Sequence, residues 1–395
     1  MNNLLTYWDS LLNTNISKRN FLKVCFVIAS SMVLNILPHR VRGKEIRRHK
    51  LNNKIKPTVV RIHNLKATSW VYPSDSLINK IRRRLKGPYM DNIAQDIVEK
   101  MVEEGVKKLT DKKNAKVGWE TLFSSYSEGD EIVIKPNFNG IGSGLWEVLP
   151  TTPVLNSIIK SLIVFLGISP TKIYIYDVSR NIPEIIRSRI KYPINYVQFG
   201  DALAEADIKE EIYMREKITD ERGKLIKCFI PKILSRAKHL INVPVFKNHI
   251  FISCSCALKN HFGTVRFSDG RQNPDYLHPP RIEKSIVDIN CNKHIREKTR
   301  LIIVDALFGT YDWKPGRGPI EWKIFSKGTP NSLFFSTDPV AIDSIISDYI
   351  EKERKIHNYE ILSHRFLHDA ISQEIGIHDH IDLTGNYSRI NFIQI

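Results

Sequence analysis

Apolar residues recur at helical spacing in three stretches of the chain. Between Asp91 and Leu109 they fall every three or four positions, which predicts an amphipathic helix. A shorter stretch from Lys116 to Tyr126 carries Trp119 and Phe123 in the same way. Thr151 to Gly167 adds signals of helix ends, with Thr and an early Pro at its start and Gly at its end. These stretches are the predicted helices of the first half.

Near-continuous apolar runs lie between and after these helices. Such runs are typical of strands that are buried on both faces, and their alternation with helices indicates a parallel sheet. The predicted strands are Val59–Leu65, a run ending at Ile134, Lys172–Ser179, His239–Phe246, Leu301–Gly309, and a strand from Ser332 that leads into a helix at Asp338. We therefore predict an α/β fold: a mainly parallel sheet with helices on both faces, in one large domain spanning residues 58–395.

Polar side chains stand where five of these strands end. In parallel α/β sheets, ligands bind beyond the carboxyl ends of the strands. The residues in question are Lys135 and Asn137; Asp177, Ser179 and Arg180; Lys247 and His249; Asp305; and Asp338. An Asp in this position often only caps the next helix, and Asp338 before Pro339 fits that alternative. The five strand ends together predict a polar site at this edge of the sheet.

The triplet Lys-Asn-His occurs twice, at residues 247–249 and 259–261. Lys247 and His249 leave a buried strand, where residues two apart share a face. Gly263 follows the second triplet and permits a sharp turn or a close backbone approach. Two lysines beside two imidazoles predict binding of a phosphate or carboxylate.

A divalent metal is the alternative chemistry for the same residues. His249 and His261 would ligate the metal together with Asp177 or Asp305. His278 is a further candidate ligand. A third possibility is that each imidazole is a hydrogen-bonding residue of the core, and the residues themselves leave these alternatives open.

The net charge and the cysteine content limit the classes of partner and cofactor that the sequence predicts. The net charge of +17 comes from 59 Lys and Arg against 42 Asp and Glu, and it favours acidic partners. The excess is densest from His39 to Lys56 and from Ile81 to Lys86. No zinc-finger spacing, aromatic RNA-binding strand or Gly-X-X-Gly clamp is present, so nucleic acid is not a predicted partner. The five cysteines contain no Cys-X-X-Cys pair, so neither an iron–sulfur motif nor a disulfide framework is predicted.

The amino terminus has the pattern of an export signal. Ile16–Lys23 reads ISKRNFLK, and an apolar run from Val24 to Leu37 follows. The stretch resembles a twin-arginine signal, with Lys18 in place of the first arginine. We predict a signal or membrane anchor at residues 1–37 and a basic linker at residues 38–57. The alternative is an amino-terminal helix packed on the domain.

The quoted segments, taken in order, resemble the DUF362 family, a domain of unknown function. The resemblance runs from about Val59 to Ile346 and includes IVIKPNFNG, IYIYDVSR, LINVPVFKNH, CALKNHFGT, LIIVDALFGT and STDPVAIDSI. It implies the α/β fold and recurring positions, and it supplies no reaction. The recurring positions are Lys135, Asn137, Asp177, Lys247, His249, Lys259, Asn260, His261, Gly263, Asp305, Asp338 and Asp343.

Our leading hypothesis is an exported enzyme that binds a small anionic substrate at the carboxyl edge of the sheet. The binding residues would be Lys135, Asn137, Lys247, Asn260 and Arg180. The catalytic residues would be His249, His261, Lys259, Asp177 and Asp305, and a metal would use His249, His261 and Asp305.

The alternative hypothesis is a non-catalytic protein of the cell envelope that holds a metal, cofactor or anionic ligand for a partner. The predicted location in both cases is the periplasm or the outer face of a membrane, reached through the twin-arginine export machinery. The basic linker would add attraction to an anionic membrane surface.

Overall fold

The computed structural model describes residues 56–72, 88–138, 148–314 and 318–395. The predicted export signal and nearly all of the predicted basic linker lie outside the described residues. Within the described ranges, no helix combines the length and the apolar character needed to cross a membrane.

Fourteen strands occur in the described part of the chain, nine of them in one large sheet. In chain order the strands are β1 (Thr58–His63), β2 (Ile132–Pro136), β3 (Ile173–Asp177), β4 (Asn195–Gln198), β5 (Ala206–Ile212), β6 (Ile218–Thr219), β7 (Leu225–Ile226), β8 (Cys228–Pro231), β9 (His239–Val243), β10 (Val245–Lys247), β11 (Arg266–Phe267), β12 (Thr299–Thr310), β13 (Ser332–Ser336) and β14 (Asn391–Gln394).

The large sheet has the order β14-β1-β13-β12-β9-β2-β3-β4, and β10 also pairs with β12. Strands β4, β3, β2, β9 and β12 run parallel to one another, as do β1 and β14. Strand β13 is antiparallel to both of its neighbours, β1 and β12. The predicted mainly parallel sheet is confirmed, with β13 as an exception that the apolar pattern did not reveal.

The helices are α1 (Gln95–Thr110), α2 (Ala115–Leu122), α3 (Thr152–Leu166), α4 (Glu184–Arg187), α5 (Lys232–Arg236), α6 (Ile282–Asn290), α7 (Lys293–Arg296), α8 (Pro339–Ile356) and α9 (Arg365–Ser372). Two smaller sheets, β11-β8-β5 and β6-β7, and six short 3₁₀ helices complete the described elements.

Strand β12 shows how the sequence builds two cores. Leu301 and Ile303 belong to the core shared with α1, α2 and α3. Ile302 and Val304 belong to the core shared with α6, α8 and α9. Because successive side chains point to opposite faces, a continuous apolar strand requires cover on both faces. The predicted helices on both faces are confirmed.

The predicted strand His239–Phe246 is broken at Pro244. Proline has no N–H to continue the ladder, and its carbonyl accepts a hydrogen bond from the Asp305 N–H at 2.9 Å. The chain continues as β10, which pairs only with β12. This arrangement brings Lys247 to the carboxyl edge of the sheet.

Candidate functional site

A buried ion pair joins the ends of β2 and β3. Lys135 Nζ donates to Asp177 Oδ2 and to the Pro136 carbonyl, each at 2.8 Å. Asp177 Oδ1 accepts from both the N–H and the hydroxyl of Ser179, each at 2.9 Å. Burial lowers the pKa of Lys135, and the Asp177 carboxylate opposes this shift. The carboxylate of Asp177 therefore balances the positive charge of Lys135. Lys135 also forms part of the wall of the cavity described below.

The second Lys-Asn-His triplet forms a 3₁₀ turn over this ion pair, Lys259–Thr264. Asn260 donates to the Lys135 carbonyl at 2.8 Å and to Asn242 Oδ1 at 2.7 Å. His261 lies between Asn242 Nδ2, at 3.3 Å, and Thr264 Oγ1, at 3.2 Å. These contacts fix the turn to β2 and β9, and they engage the side chains of both Asn260 and His261.

Gly263 allows this turn to approach the ion pair. A Cβ atom at this position would lie 2.6 Å from Asp177 Oδ2 and 2.8 Å from Lys135 Nζ. Both distances are shorter than carbon–oxygen or carbon–nitrogen contacts allow, so any larger residue forces the turn away from the strands. The glycine thus serves close packing of backbone against side chains.

Lys259 is the most unusual group of the pocket. Its side chain is buried, and its Nζ lies 4.2 Å from the centroid of the Phe262 ring. No carboxylate or carbonyl of the described residues accepts a hydrogen bond from this Nζ. Burial, reinforced by the positive charges of Lys247 and Arg180, lowers the pKa of Lys259 to about 7.

The first triplet supplies a second cation and an imidazole. Lys247 is buried, with its Nζ 5.7 Å from the Trp313 ring centroid. His249 stacks on His278 with centroids 5.6 Å apart, and its Nδ1 accepts from the Phe251 N–H at 3.3 Å. His249 also stacks on Trp313, with ring centroids 6.1 Å apart, so both side chains lie against this ring, and neither lines the cavity described below.

Both stacked imidazoles are neutral. Burial, followed by the charge of Lys259, holds the pKa of His249 well below its usual range. The same causes lower the pKa of His278 to about 3. His278 Nδ1 lies 3.1 Å from the Pro274 carbonyl, which accepts only from a protonated nitrogen, so Nε2 is left as the acceptor.

Arg180 is the third positively charged residue near Lys259. Its guanidinium donates to the Ser179 carbonyl at 2.8 Å and to Asn273 Oδ1 at 3.3 Å. Asp275 lies close enough to interact with Arg180, although burial is the larger influence and raises the pKa of Asp275. Arg180 is thus held by backbone and amide contacts, and it is not among the residues that line the cavity.

The cavity itself is small, about 20 Å³, which is room for one or two water molecules. Asn137 lines it and donates through Nδ2 to the Ser255 carbonyl at 3.4 Å. Seven of the residues chosen from the sequence line this cavity: Lys135, Asn137, Asp177, Ser179, Lys259, Asn260 and Gly263. The convergence of β2, β3 and the second triplet is therefore present in the structure.

At two of the five predicted strand ends, the aspartate side chain forms hydrogen bonds with the backbone of the fold. Asp305 accepts from the Thr151 N–H at 2.6 Å and from the Leu307 N–H at 3.2 Å, which ties β12 to the start of α3. Asp338 caps α8 by accepting from the N–H groups of Val340 and Ala341. Because β13 is antiparallel to β12, Asp338 lies at the opposite edge of the sheet, which corrects the prediction that all five ends converge.

The three residues predicted as metal ligands do not meet. His261 contacts Asn242 and Thr264, whereas Asp305 contacts the start of α3. Among the described residues, the group whose ligand atoms lie mutually close does not contain His249, His261 or Asp305. His261 is also buried, and burial lowers its pKa to about 3.

Two further residues, Asn242 and Asp343, support the turn of the second triplet, and they differ in how well the sequence predicted them. Asn242 was missed, although it is a polar residue inside the apolar run HLINV. Its Oδ1 accepts from Asn260, and its Nδ2 donates to the Ala257 carbonyl at 2.9 Å. Asp343 entered only through the family resemblance, and its carboxylate accepts from the N–H groups of Ala257 and Leu258 at 2.7 and 3.0 Å. Both residues position the turn that presents Lys259.

The fold and pocket define an α/β protein with a cationic cavity at the carboxyl edge of a mainly parallel sheet. The chain belongs to the DUF362 family, whose description is a domain of unknown function: the family model matches residues 132–348, a little over half of the chain. All of the cavity-lining residues lie within this match.

Other comparisons add little. No curated protein matches the chain. Among solved structures, the chain is similar to the lactate racemase apoprotein from Thermoanaerobacterium thermosaccharolyticum, at 13% identity and a TM-score of 0.31. That similarity covers 66% of this chain and 55% of the racemase chain. It is too slight to bear on fold or function.

Proposed function

We propose that this protein is an enzyme that binds a small anionic molecule, a carboxylate or a phosphate, whose charged oxygen enters the small cavity around Lys259. The observation that carries the proposal is the charge balance of the pocket wall. Asp177 is matched by Lys135 at 2.8 Å, whereas Lys259 has no carboxylate partner among the described residues, and the charges of Lys247 and Arg180 add to burial in lowering its pKa. An anion in the cavity would relieve this repulsion and would accept from the Lys259 ammonium.

Lys259 is also suited to proton transfer. A group with a pKa near the working pH is present in both its acid and base forms, which is what general acid–base catalysis requires. Lys259, with its pKa lowered to about 7, lies in this range. The neutral His249 and His278 would then supply hydrogen bonds to the substrate without adding charge, and Asn137 would orient it.

Ligand binding is the first test. Thermal denaturation of the purified chain would be followed with inorganic phosphate and with a panel of small mono- and dicarboxylates, since a ligand that binds only the folded state raises Tm. We expect stabilisation of wild type and a roughly 10- to 100-fold weaker affinity in Lys259→Met, because a charged hydrogen bond is lost.

Lys298 provides a matched control. Burial lowers its pKa to about 8, and it donates to the Leu234 and Ser235 carbonyls away from the cavity. Lys298→Met should leave anion affinity at the wild-type value. An equal loss in both variants, or no anion that stabilises wild type, would contradict the proposed binding site.

The variant Lys259→Arg distinguishes an enzyme from a protein that only binds the anion. Arginine keeps the positive charge but does not release its proton at neutral pH. For an enzyme, we expect this variant to retain binding and to lose proton exchange between bound ligand and D₂O, measured by NMR. If wild type shows neither exchange nor turnover of any stabilising anion, the alternative of a non-catalytic binding protein replaces the enzyme.

We further propose that the protein acts outside the cytoplasm. The support is the sequence of residues 16–37, a basic segment followed by an apolar run. Cell fractionation should find wild type in the exported fraction and a Lys18→Gln, Arg19→Gln double variant retained inside. Binding of the exported chain to anionic vesicles, and its loss at high salt, would test the added attraction through residues 38–57.

A further inference from the structure

A cluster of four histidines lies at α9, outside the cavity around Lys259. His364 precedes the helix and His368 lies in its first turn, while His378 and His380 belong to the segment that follows it. The ring centroids of His378 and His380 are 4.4 Å apart, those of His364 and His380 are 4.7 Å apart, and those of His368 and His378 are 4.6 Å apart. Four imidazoles at these distances would repel one another if all were protonated.

Three of the rings present ligand atoms to one point. Ring nitrogens of His364, His368 and His380 all lie within 4.8 Å of one another. His364 and His368 are four residues apart, a spacing that places side chains on one helix face. Zinc–nitrogen bonds of about 2.0–2.1 Å in a tetrahedron need nitrogens roughly 3.4 Å apart. Small side-chain rotations would close the remaining gap.

A carboxylate orients the third ring. Asp348 Oδ1 lies 2.7 Å from His380 Nδ1, and Asp348 Oδ2 accepts from the Ile381 N–H at 3.0 Å and from the Tyr387 hydroxyl at 2.9 Å. The carboxylate can only accept from His380, so Nδ1 carries a proton, and Nε2 of the neutral ring presents its lone pair. This carboxylate–imidazole arrangement is the one that holds metal-binding histidines in many proteins.

The fourth ring is oriented in the same sense by a hydroxyl. Ser344 Oγ donates to the Val340 carbonyl at 2.7 Å, so it accepts from His378 Nδ1, which is also at 2.7 Å. His378 Nε2 is thereby left as an acceptor. His364 Nδ1, His378 Nε2 and His380 Nε2 are shielded from solvent, and each lacks a hydrogen-bond partner among the described residues. Buried polar atoms of this kind are costly unless something binds them.

We propose that His364, His368 and His380 form a binding site for a divalent first-row transition metal, with Zn²⁺ as the first candidate. Three imidazoles suit Zn²⁺, and Cu²⁺ or Ni²⁺ would bind the same donors. His378 lines the fourth position, and Asp348 is the positioning carboxylate. All four histidines follow the end of the family match at residue 348, so the site is a feature of this chain beyond the matched segment.

The residue before His364 also contacts, through the backbone, the segment between the two Lys-Asn-His triplets. The Ser363 carbonyl, directly before His364, accepts from the Ser253 N–H at 2.7 Å. Ser253 lies between the two Lys-Asn-His triplets. A metal that fixes the start of α9 would therefore also fix this segment.

The test uses full-length protein without a polyhistidine tag, stripped with a chelator and then dialysed against Zn²⁺. Elemental analysis gives the stoichiometry, and competition with a chromophoric chelator gives the affinity. We expect about one zinc per chain in wild type and none in a His364→Ala, His368→Ala double variant. Asp348→Asn should weaken binding by roughly 10- to 100-fold. Arg365→Ala, an exposed neighbour on the same helix, should bind zinc as wild type does.

Single substitution of His368 protects the test against misfolding, because His368 is exposed. Far-UV circular dichroism would confirm that this variant is folded, and Co²⁺ in place of Zn²⁺ would report ligand loss through its visible spectrum. Failure of wild type to retain Zn²⁺, Cu²⁺ or Ni²⁺ would overturn the proposal. Retention of undiminished zinc by the double variant would overturn it equally. Neither result bears on anion binding by Lys259, which is measured separately.

Discussion

At the scale of single residues, the two identical triplets have different tasks. Lys247 and His249 both lie against the Trp313 ring, and neither lines the cavity. In the second triplet, Lys259 and Asn260 both line the cavity, and Asn260 and His261 hold the turn in place. Residue types and strand ends were enough to find these positions. The direction in which each side chain of the second triplet points depends on the 3₁₀ turn, and a short polar sequence does not predict such a turn.

Lys259 should make stability depend on pH in a defined direction. Its folded-state pKa is about 7, below the usual value of about 10.4. Between these two values the unfolded chain binds the extra proton, so the free energy of unfolding rises with pH and the gain is lost as pH falls through about 7. Relative to Lys259→Met, wild type should gain up to about 1.4 kcal/mol per pH unit in this window. Urea titrations of both proteins at several pH values measure the difference, and parallel curves would contradict it.

Gly263 should be intolerant of a single added carbon. Gly263→Ala places a Cβ against Asp177 and Lys135, and relief of such overpacking typically costs about 1–3 kcal/mol. We expect lower stability and loss of anion binding. Gly105→Ala is the control, because its Cβ would press on the Phe335 ring in the core, away from the cavity. That variant should lose stability and keep its anion affinity; identical behaviour of the two would remove the special role of Gly263.

At the scale of elements, Asp338 and Asp343 show what the sequence could and could not predict. Both lie around the start of α8, and both recur in the family pattern. Asp338 before a proline and a helix predicts a cap, and the structure confirms this. Asp343 lies inside the helix, where spacing predicts nothing. Its partners, the N–H groups of Ala257 and Leu258, come from a segment some 85 residues earlier.

Substitution of Asp343 and of Asp338 should have different effects on anion binding. Asp343→Asn retains one acceptor oxygen, so one of the two N–H groups loses its partner at a cost of about 1–3 kcal/mol. Because that turn carries Lys259, we expect weaker anion binding as well. Asp338→Ala should cost about 0.5–2 kcal/mol through the lost cap and leave the affinity unchanged. Calorimetric titration of both variants with a stabilising anion decides whether Asp343 positions the site.

At the scale of the whole molecule, alternation of apolar runs and helices correctly predicted the α/β class, the parallel strands and the helices on both faces. It could not reveal that β13 runs antiparallel, because direction depends on the connection between strands and not on the run itself. That reversal moved Asp338 to the far edge of the sheet. The histidine cluster was also missed, although His364 and His368 at helical spacing were a visible signal.

The positive charge of the chain has a local counterpart in the cavity. The net charge of +17 attracts anions from a distance, but an exposed excess of this kind is screened by salt. Lys259 and Lys247 are buried, so their attraction for an anion is screened much less. The central claim therefore concerns these buried groups and not the total charge.

The most direct measurement is the affinity of a stabilising anion at a series of pH values, by calorimetry, for wild type and Lys259→Met. The account predicts tight binding below about pH 7 and a fall of up to about tenfold per pH unit above it in wild type, as Lys259 loses its proton. Lys259→Met should bind weakly, with no such fall. Affinity in wild type that is flat across this range, or a variant that follows the same curve, would contradict the claim that Lys259 is the anion-binding group.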